Sequence, residues 1–190
     1  MAERPDVAAL VRNAQVQGLS NDGCVPHHVR QILDAADQTR RHLTGEELLS
    51  ICATSGQDPS LPQRLQTQAD DLVHQARRHL LEQQPHLVQP GGALFPSERA
   101  EACWRDCWNF LRVITYAVAC KRSDFTNPSG MAALRELYRV MNVPTEGLNI
   151  ALLQLKVLAL QGTNREADRA LISDCFQHLG EQLNKTAVKS

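Results

Sequence analysis

Aromatic side chains are scarce in this chain: two tryptophans, two tyrosines and four phenylalanines among 190 residues, or 4%. No apolar run approaches the roughly 18 residues that a transmembrane helix requires, and the first thirty residues lack the basic-then-apolar order of a signal peptide. The expectation is a soluble chain that stays in the compartment where it is made. Charge of neither sign is in surplus, with 20 basic against 21 acidic residues. That balance excludes the basic footprint of a nucleic-acid binder, and a hydrophobic content of 43% excludes a disordered tail. Internal repeats and low-complexity tracts are absent, as is the sustained period-two alternation that marks a sheet. Cysteine is present at positions 24, 52, 103, 107, 120 and 175, too scattered for a disulfide scaffold, so the thiols read as reduced.

What remains is helical spacing, and the fold class is all-α. One domain accounts for the length. A short helix over residues 5–17 precedes the turn-rich Leu19–Pro26, so residues 1–28 read as an N-terminal extension, 29–183 as the domain and 184–190 as a tail. Periodicity predicts a helix over 28–42. Thr44 and Glu47 then form a capping box, in which a hydroxyl and a carboxylate three residues apart satisfy free amides at a helix start. Gly56 and two prolines break that helix within residues 55–62. Further helices are expected over 62–84, 97–121, 127–141, 145–160 and 165–184. Pro85 to Pro96, PHLVQPGGALFP, has three prolines and a Gly-Gly pair and reads as a shaped loop. Asn142, just before Val143-Pro144, suits a left-handed helix stop.

Three collinear stretches carry a resemblance: PGG at 90–92, ACWRDCWNFLRVITYAVA at 102–119 and LRELYRVMNVP at 134–144. Together they resemble the phycobiliprotein pattern, in which a Pro-Gly-Gly loop precedes a Cys-x-Arg-Asp helix. Leu111, Arg112, Thr115 and Tyr116 match the following LR-x-x-TY run. Arg135, Glu136, Tyr138, Val143 and Pro144 match an Arg-Glu-x-Tyr segment with its closing turn. Upstream, Ala36-Asp37, Arg41 and Leu43-Thr44 look like the family's Ala-Asp-x-x-x-Arg-x-Leu-Ser stretch. The resemblance covers about residues 30–180 and is strongest to allophycocyanin-like, α-like core subunits.

This resemblance implies a globin-like helical domain with an N-terminal helical hairpin, and a light-harvesting subunit of the photosynthetic phycobilisome rather than an enzyme. It implies one phycocyanobilin or related linear tetrapyrrole, held by a thioether at Cys103. The partners it implies are other phycobiliprotein subunits, as a heterodimer and then trimeric discs, together with linker proteins. The implied location is the cytoplasmic or stromal face of the thylakoid membrane.

On a helix, Cys103, Asp106, Cys107 and Phe110 share one angular sector, because separations of three and four residues bring side chains together. A thiolate adds readily to an activated double bond. Arg99 and Arg105 offer cations for propionates, and a carboxylate under the inner pyrrole nitrogens favours the protonated pigment. The family assigns that last role to the position of Asp106. Phe110 and Tyr116 complete the expected pigment contacts. Asp37, Arg41 and Arg112 are the expected partner interface, with Asp37 and Arg112 at positions whose family counterparts pair across it.

Departures from the pattern keep a second reading in view, a pigment-free relative that docks on the antenna as a structural or regulatory component. Ala93 stands where the family commonly has asparagine after Pro-Gly-Gly. Asn109 and Phe110 replace a common tyrosine pair, and Cys120-Lys121-Arg122 replaces the usual Ala-Gly-Asp turn. A weaker alternative is a haem-binding globin-like sensor using His74, His79 or His86. Cys24, His27 and His28 lie close together, but no second ligand cluster at zinc spacing accompanies them, so no metal is expected.

Overall fold

The computed structural model describes residues 6–186; the outermost parts of the expected extension and tail, 1–5 and 187–190, lie outside the described residues. Between those limits run α1 (Val7–Asn13), α2 (His27–Gln38), α3 (Gly45–Ser55), α4 (Ser60–Thr67), α5 (Ala69–Gln83), α6 (Ser97–Ala119), α7 (Pro128–Val140), α8 (Thr145–Leu160) and α9 (Glu166–Asn184). The only β pairing among the described residues is an isolated bridge between Gln17 and Thr126. The all-α expectation holds.

Local chemistry sets most boundaries. Thr44 accepts from the Glu47 amide while the Glu47 carboxylate accepts from the Thr44 amide, so the capping box starts α3 as the sequence predicts. Asn127 caps α7 by accepting from the Gly130 amide, with Pro128 at the first helical position. Asn142 has a φ of 51° and ends the segment after α7 in the left-handed conformation. Other boundaries move. The helix expected over 62–84 is two, because the chain turns at Gln68 between α4 and α5. The helix expected to reach residue 42 stops at Gln38, and Arg40 takes a φ of 50°.

At the centre lies α6, in which every residue from Phe110 to Ala119 is buried. Helices α3, α4, α5, α8 and α9 pack against it. The segment before residue 29 also joins this body. Helix α1 lies on α7, the Gly18 amide donates to Phe125 O, and Leu19 and Val25 are buried.

The resemblance implies an N-terminal helical hairpin with a partner interface at Asp37, Arg41 and Arg112, and α2 and α3 form that pair. In the structure Val29, Leu33 and Ala36 of α2 and Leu48, Ile51 and Cys52 of α3 are buried within this chain. Burying each of the larger of these side chains stabilises the fold by about 1.5–3 kcal/mol. The cause is the stop at Ser55–Pro59. Gly56 ends α3 in the left-handed conformation, and the Ser55 hydroxyl donates to Ala119 O at 2.6 Å, so α3 is fastened to the end of α6 rather than running on.

Candidate functional site

The loop before α6 turns where its sequence demands. Gly91 has a φ of 88°, and a Cβ on Gly92 would stand 2.2 Å from His86 O, so the Gly-Gly pair is required by a left-handed turn followed by a close backbone approach. The Leu94 amide donates to Leu87 O, which seats Leu94 in the core and launches α6 from Pro96.

Along α6 the two candidate residues Cys103 and Asp106 do share a wall. Cys103 is 5% exposed. Cys107 stands one turn further along α6, and its neighbour Cys103 together with burial raises the Cys107 pKa well above the ordinary thiol value. Burial raises the Asp106 pKa, opposed by a hydrogen bond from Tyr138 and by the nearby Arg105 and Arg40 charges. The Tyr138 hydroxyl, from the last turn of α7, donates to Asp106 Oδ2 at 2.8 Å. Tyr138 is itself buried, and its phenol pKa is raised by that burial and by the neighbouring Asp106, Cys107 and Cys103.

The remaining pigment candidates spread out. Arg105 is exposed beside this wall. Arg99 is committed to backbone, donating to Met141 O at 2.7 Å and to Ala93 O. Phe110 lies in the core at 2% exposure. Tyr116 is fully buried, donating to Arg41 O and accepting from Arg112 at 2.8 Å, so it belongs to the α2–α6 contact and not to the Cys103 wall.

The residues expected at a partner interface, Asp37, Arg41 and Arg112, stand around that contact. Arg112 Nη1 meets Asp37 Oδ1 at 2.8 Å within one chain, where the family pattern implied a pair spanning two. Arg41 binds the Glu47 carboxylate with both terminal nitrogens, at 2.7 and 2.8 Å, and holds the Glu47 pKa down at about 2. The physical reason is the returned hairpin, which brings α2 and the 39–44 turn onto α6 of the same chain.

Two cavities open elsewhere. One of about 350 Å³ lies between Gln57, Asp58, Lys121, Arg165 and Asp168. The other, about 230 Å³, lies between α5 and α6 and is lined by Asp70, His74, Arg77, Trp104 and Trp108. There the Trp108 indole N–H donates to Asp70 at 2.8 Å and its ring lies 4.8 Å from His42. Neither cavity reaches Cys103 or Asp106. The three histidines considered as haem ligands are dispersed. His74 lines the smaller cavity, His79 bonds Gln154 and His86 lies in the loop after α5. Of the Cys24, His27 and His28 group, Cys24 is exposed and His28 bonds Thr54.

Tyr138 is the site residue least legible in the sequence. It was visible only as part of a motif, because its partner Asp106 is 32 residues away on another helix and spacing along one helix cannot reveal such a pair.

Comparison with known proteins gives one family and many relatives. The model of the Phycobilisome protein family matches residues 31–183. The chain is 31% identical over 135 residues to the allophycocyanin alpha-B chain of Synechococcus sp., covering 70% of this chain and 83% of that one. It is 28% identical to the putative allophycocyanin subunit alpha 2 of Nostoc sp., covering 80% and 94%. It is 27% identical to the C-phycocyanin beta chain of Aglaothamnion neglectum, covering 80% and 89%.

Proposed function

The chain belongs to the phycobilisome protein family, and from that premise we propose that it is a light-harvesting antenna subunit carrying one linear tetrapyrrole on Cys103. The observation that carries the reading is the thiol of Cys103 and the carboxylate of Asp106 on one wall of α6, where burial disfavours an uncompensated carboxylate and a cationic partner would offset that cost. The donor set suits such a pigment: a nucleophilic thiol, an acceptor for pyrrole N–H groups, and Arg105 exposed alongside for a propionate. When bound, the pigment supplies absorption of visible light. The protein holds it extended, positions the acceptor and limits water. Arg99, already bound to Met141 O and Ala93 O, shapes the loop instead of receiving a propionate.

Assembly with other phycobiliprotein subunits, peripheral to the thylakoid membrane, is part of the same proposal. None of the described helices is long and apolar enough to cross a membrane. Phycocyanobilin is the pigment chosen for the test. The chain is co-expressed with phycocyanobilin synthesis, and the product is run on a denaturing gel under zinc-enhanced fluorescence. A fluorescent band in the wild type that is lost in Cys103→Ser, with the helical signal retained, is the expected result. A fluorescent Cys103→Ser band, or a dark wild type, overturns it.

Two observations favour a pigment-free antenna component as the second reading. Tyr138 occupies Asp106, and the α2–α3 face is already buried within the chain. A dark wild type that still co-sediments with allophycocyanin discs is the outcome that selects it.

A further inference from the structure

The Cys103 wall is closed to solvent, and Tyr138 is hydrogen-bonded to its carboxylate. Tyr138 stands in the final turn of α7, with its hydroxyl on Asp106 Oδ2 at 2.8 Å. It is 6% exposed and Cys103 is 5% exposed. Beyond Tyr138 the end of α7 and a turn over residues 141–144 lead into α8. Helix α7 ends at Val140, Asn142 is left-handed, and Pro144 follows. The turn is held by the amides of Met141, Asn142 and Val143, which donate to Leu137 O at 2.9 Å, Arg139 O at 3.3 Å and Tyr138 O at 2.9 Å, and by Arg99, which donates to Met141 O at 2.7 Å. Met141 is half exposed, so the turn lies at the surface, while Tyr138 is buried.

We propose that Tyr138 is a latch: its hydrogen bond to Asp106 keeps the Cys103 thiol out of solvent, and an electrophile reaches the thiol only when that bond opens. Local opening is the physical basis. A helix end followed by a left-handed residue and a proline opens more readily than the packed middle of α6, and the fraction open is set by the few bonds that close it. The phenol–carboxylate bond belongs to the stronger, charge-assisted kind. Breaking it exposes the thiol and frees the Asp106 oxygen in one movement, so access and acceptor become available together. The latch rests on the pigment reading only for the identity of the natural electrophile, since the thiol's accessibility is a property of this chain alone.

The test uses iodoacetamide on the native, pigment-free protein, with each cysteine followed by mass spectrometry. In that reaction the Cys103 sulfur displaces iodide to form a thioether, and the thiol proton goes to solvent. Exposed Cys24 is the fast reference and Cys175, fully buried in α9, is the slow one. Wild-type Cys103 is expected to react far more slowly than Cys24. Tyr138→Phe, which keeps the ring and removes the hydroxyl, is expected to speed Cys103 by at least about tenfold, the effect of losing a hydrogen bond to a charged group. Asp106→Ala removes the same bond from the other side and is expected to give a comparable acceleration. The double variant is expected to be no faster than the quicker single one, because only one bond is there to lose.

A wild-type Cys103 as fast as Cys24 overturns the latch, as does an unchanged rate in both single variants. Acceleration shared equally by Cys175 also overturns it, since that is global unfolding. Because no pigment enters the assay, a dark band in the zinc gel defeats the proposed function, whereas the latch stands or falls on these alkylation rates alone.

Discussion

Replacing Asp37 by alanine tests whether the hairpin's ion pair belongs to this chain or to an interface. The Arg112 side chain is 4% exposed and that of Asp37 20%, and Arg112 Nη1 reaches both Asp37 and the Tyr116 hydroxyl at 2.8 Å. Its Nε is buried with no partner. Loss of Asp37 therefore leaves a guanidinium in the core with one neutral phenol for company. Removing one member of a buried pair costs about 3–5 kcal/mol because the other charge stays buried. Water reaching the partly exposed Asp37 site reduces this to about 2–4 kcal/mol. At roughly 2–4 °C per kcal/mol for a domain of this size, the melting temperature should fall by on the order of 5–15 °C. Circular dichroism melts of wild type and Asp37→Ala measure it, with sedimentation run alongside at micromolar protein. The double variant Asp37→Leu/Arg112→Met, which removes both charges, is expected to recover most of the loss. An unchanged melting temperature with a loss of self-association or partner binding would refute the intrachain assignment and restore the pair to a subunit contact.

Three further outcomes follow from other parts of the fold. Glu47, held at about 2 against an ordinary 4.5 chiefly by its hydrogen bond from Arg41, contributes stability that is full above pH 4.5 and lost as the pH falls toward 2; allowing for solvent at Arg41, it is worth about 1–2 kcal/mol. Urea melts of wild type and Glu47→Gln should thus differ at pH 6 and converge near pH 2, and a difference independent of pH would count against the pairing. Gly130→Ala places a Cβ 1.8 Å from Gln15 O, so the α1–α7 contact must part; limited proteolysis should then cut within residues 6–26 of the variant while the wild type resists. Trp108→Phe removes the indole donor to Asp70 and leaves a ring facing His42; a loss of about 1 kcal/mol in urea melts is expected, and no change would show the bond to be solvent-compensated.

What the sequence determined by itself was everything governed within a few residues. The Thr44–Glu47 capping box, the Asn142 stop, the Pro90-Gly91-Gly92 turn and the α6 sector that unites Cys103 with Asp106 are consequences of local sterics and the 3.6-residue repeat, and each is present. The family was also legible, because its motifs are local and collinear. Tertiary structure alone decided how helices distant in sequence face one another. Phe110 and Tyr116 read as pigment contacts from their place on α6, yet Phe110 lies in the core and Tyr116 faces Arg41 and Arg112 across the α2 contact. Tyr138 lands on Asp106 because the fold brings the last turn of α7 within reach of that side chain. Asp37 meets Arg112 in one chain because Gly56 and the Ser55 bond to Ala119 O return the hairpin onto α6. Helical periodicity fixes the angle of a side chain about its own axis, whereas the rotation and height of one helix against another come from the packing of every side chain between them.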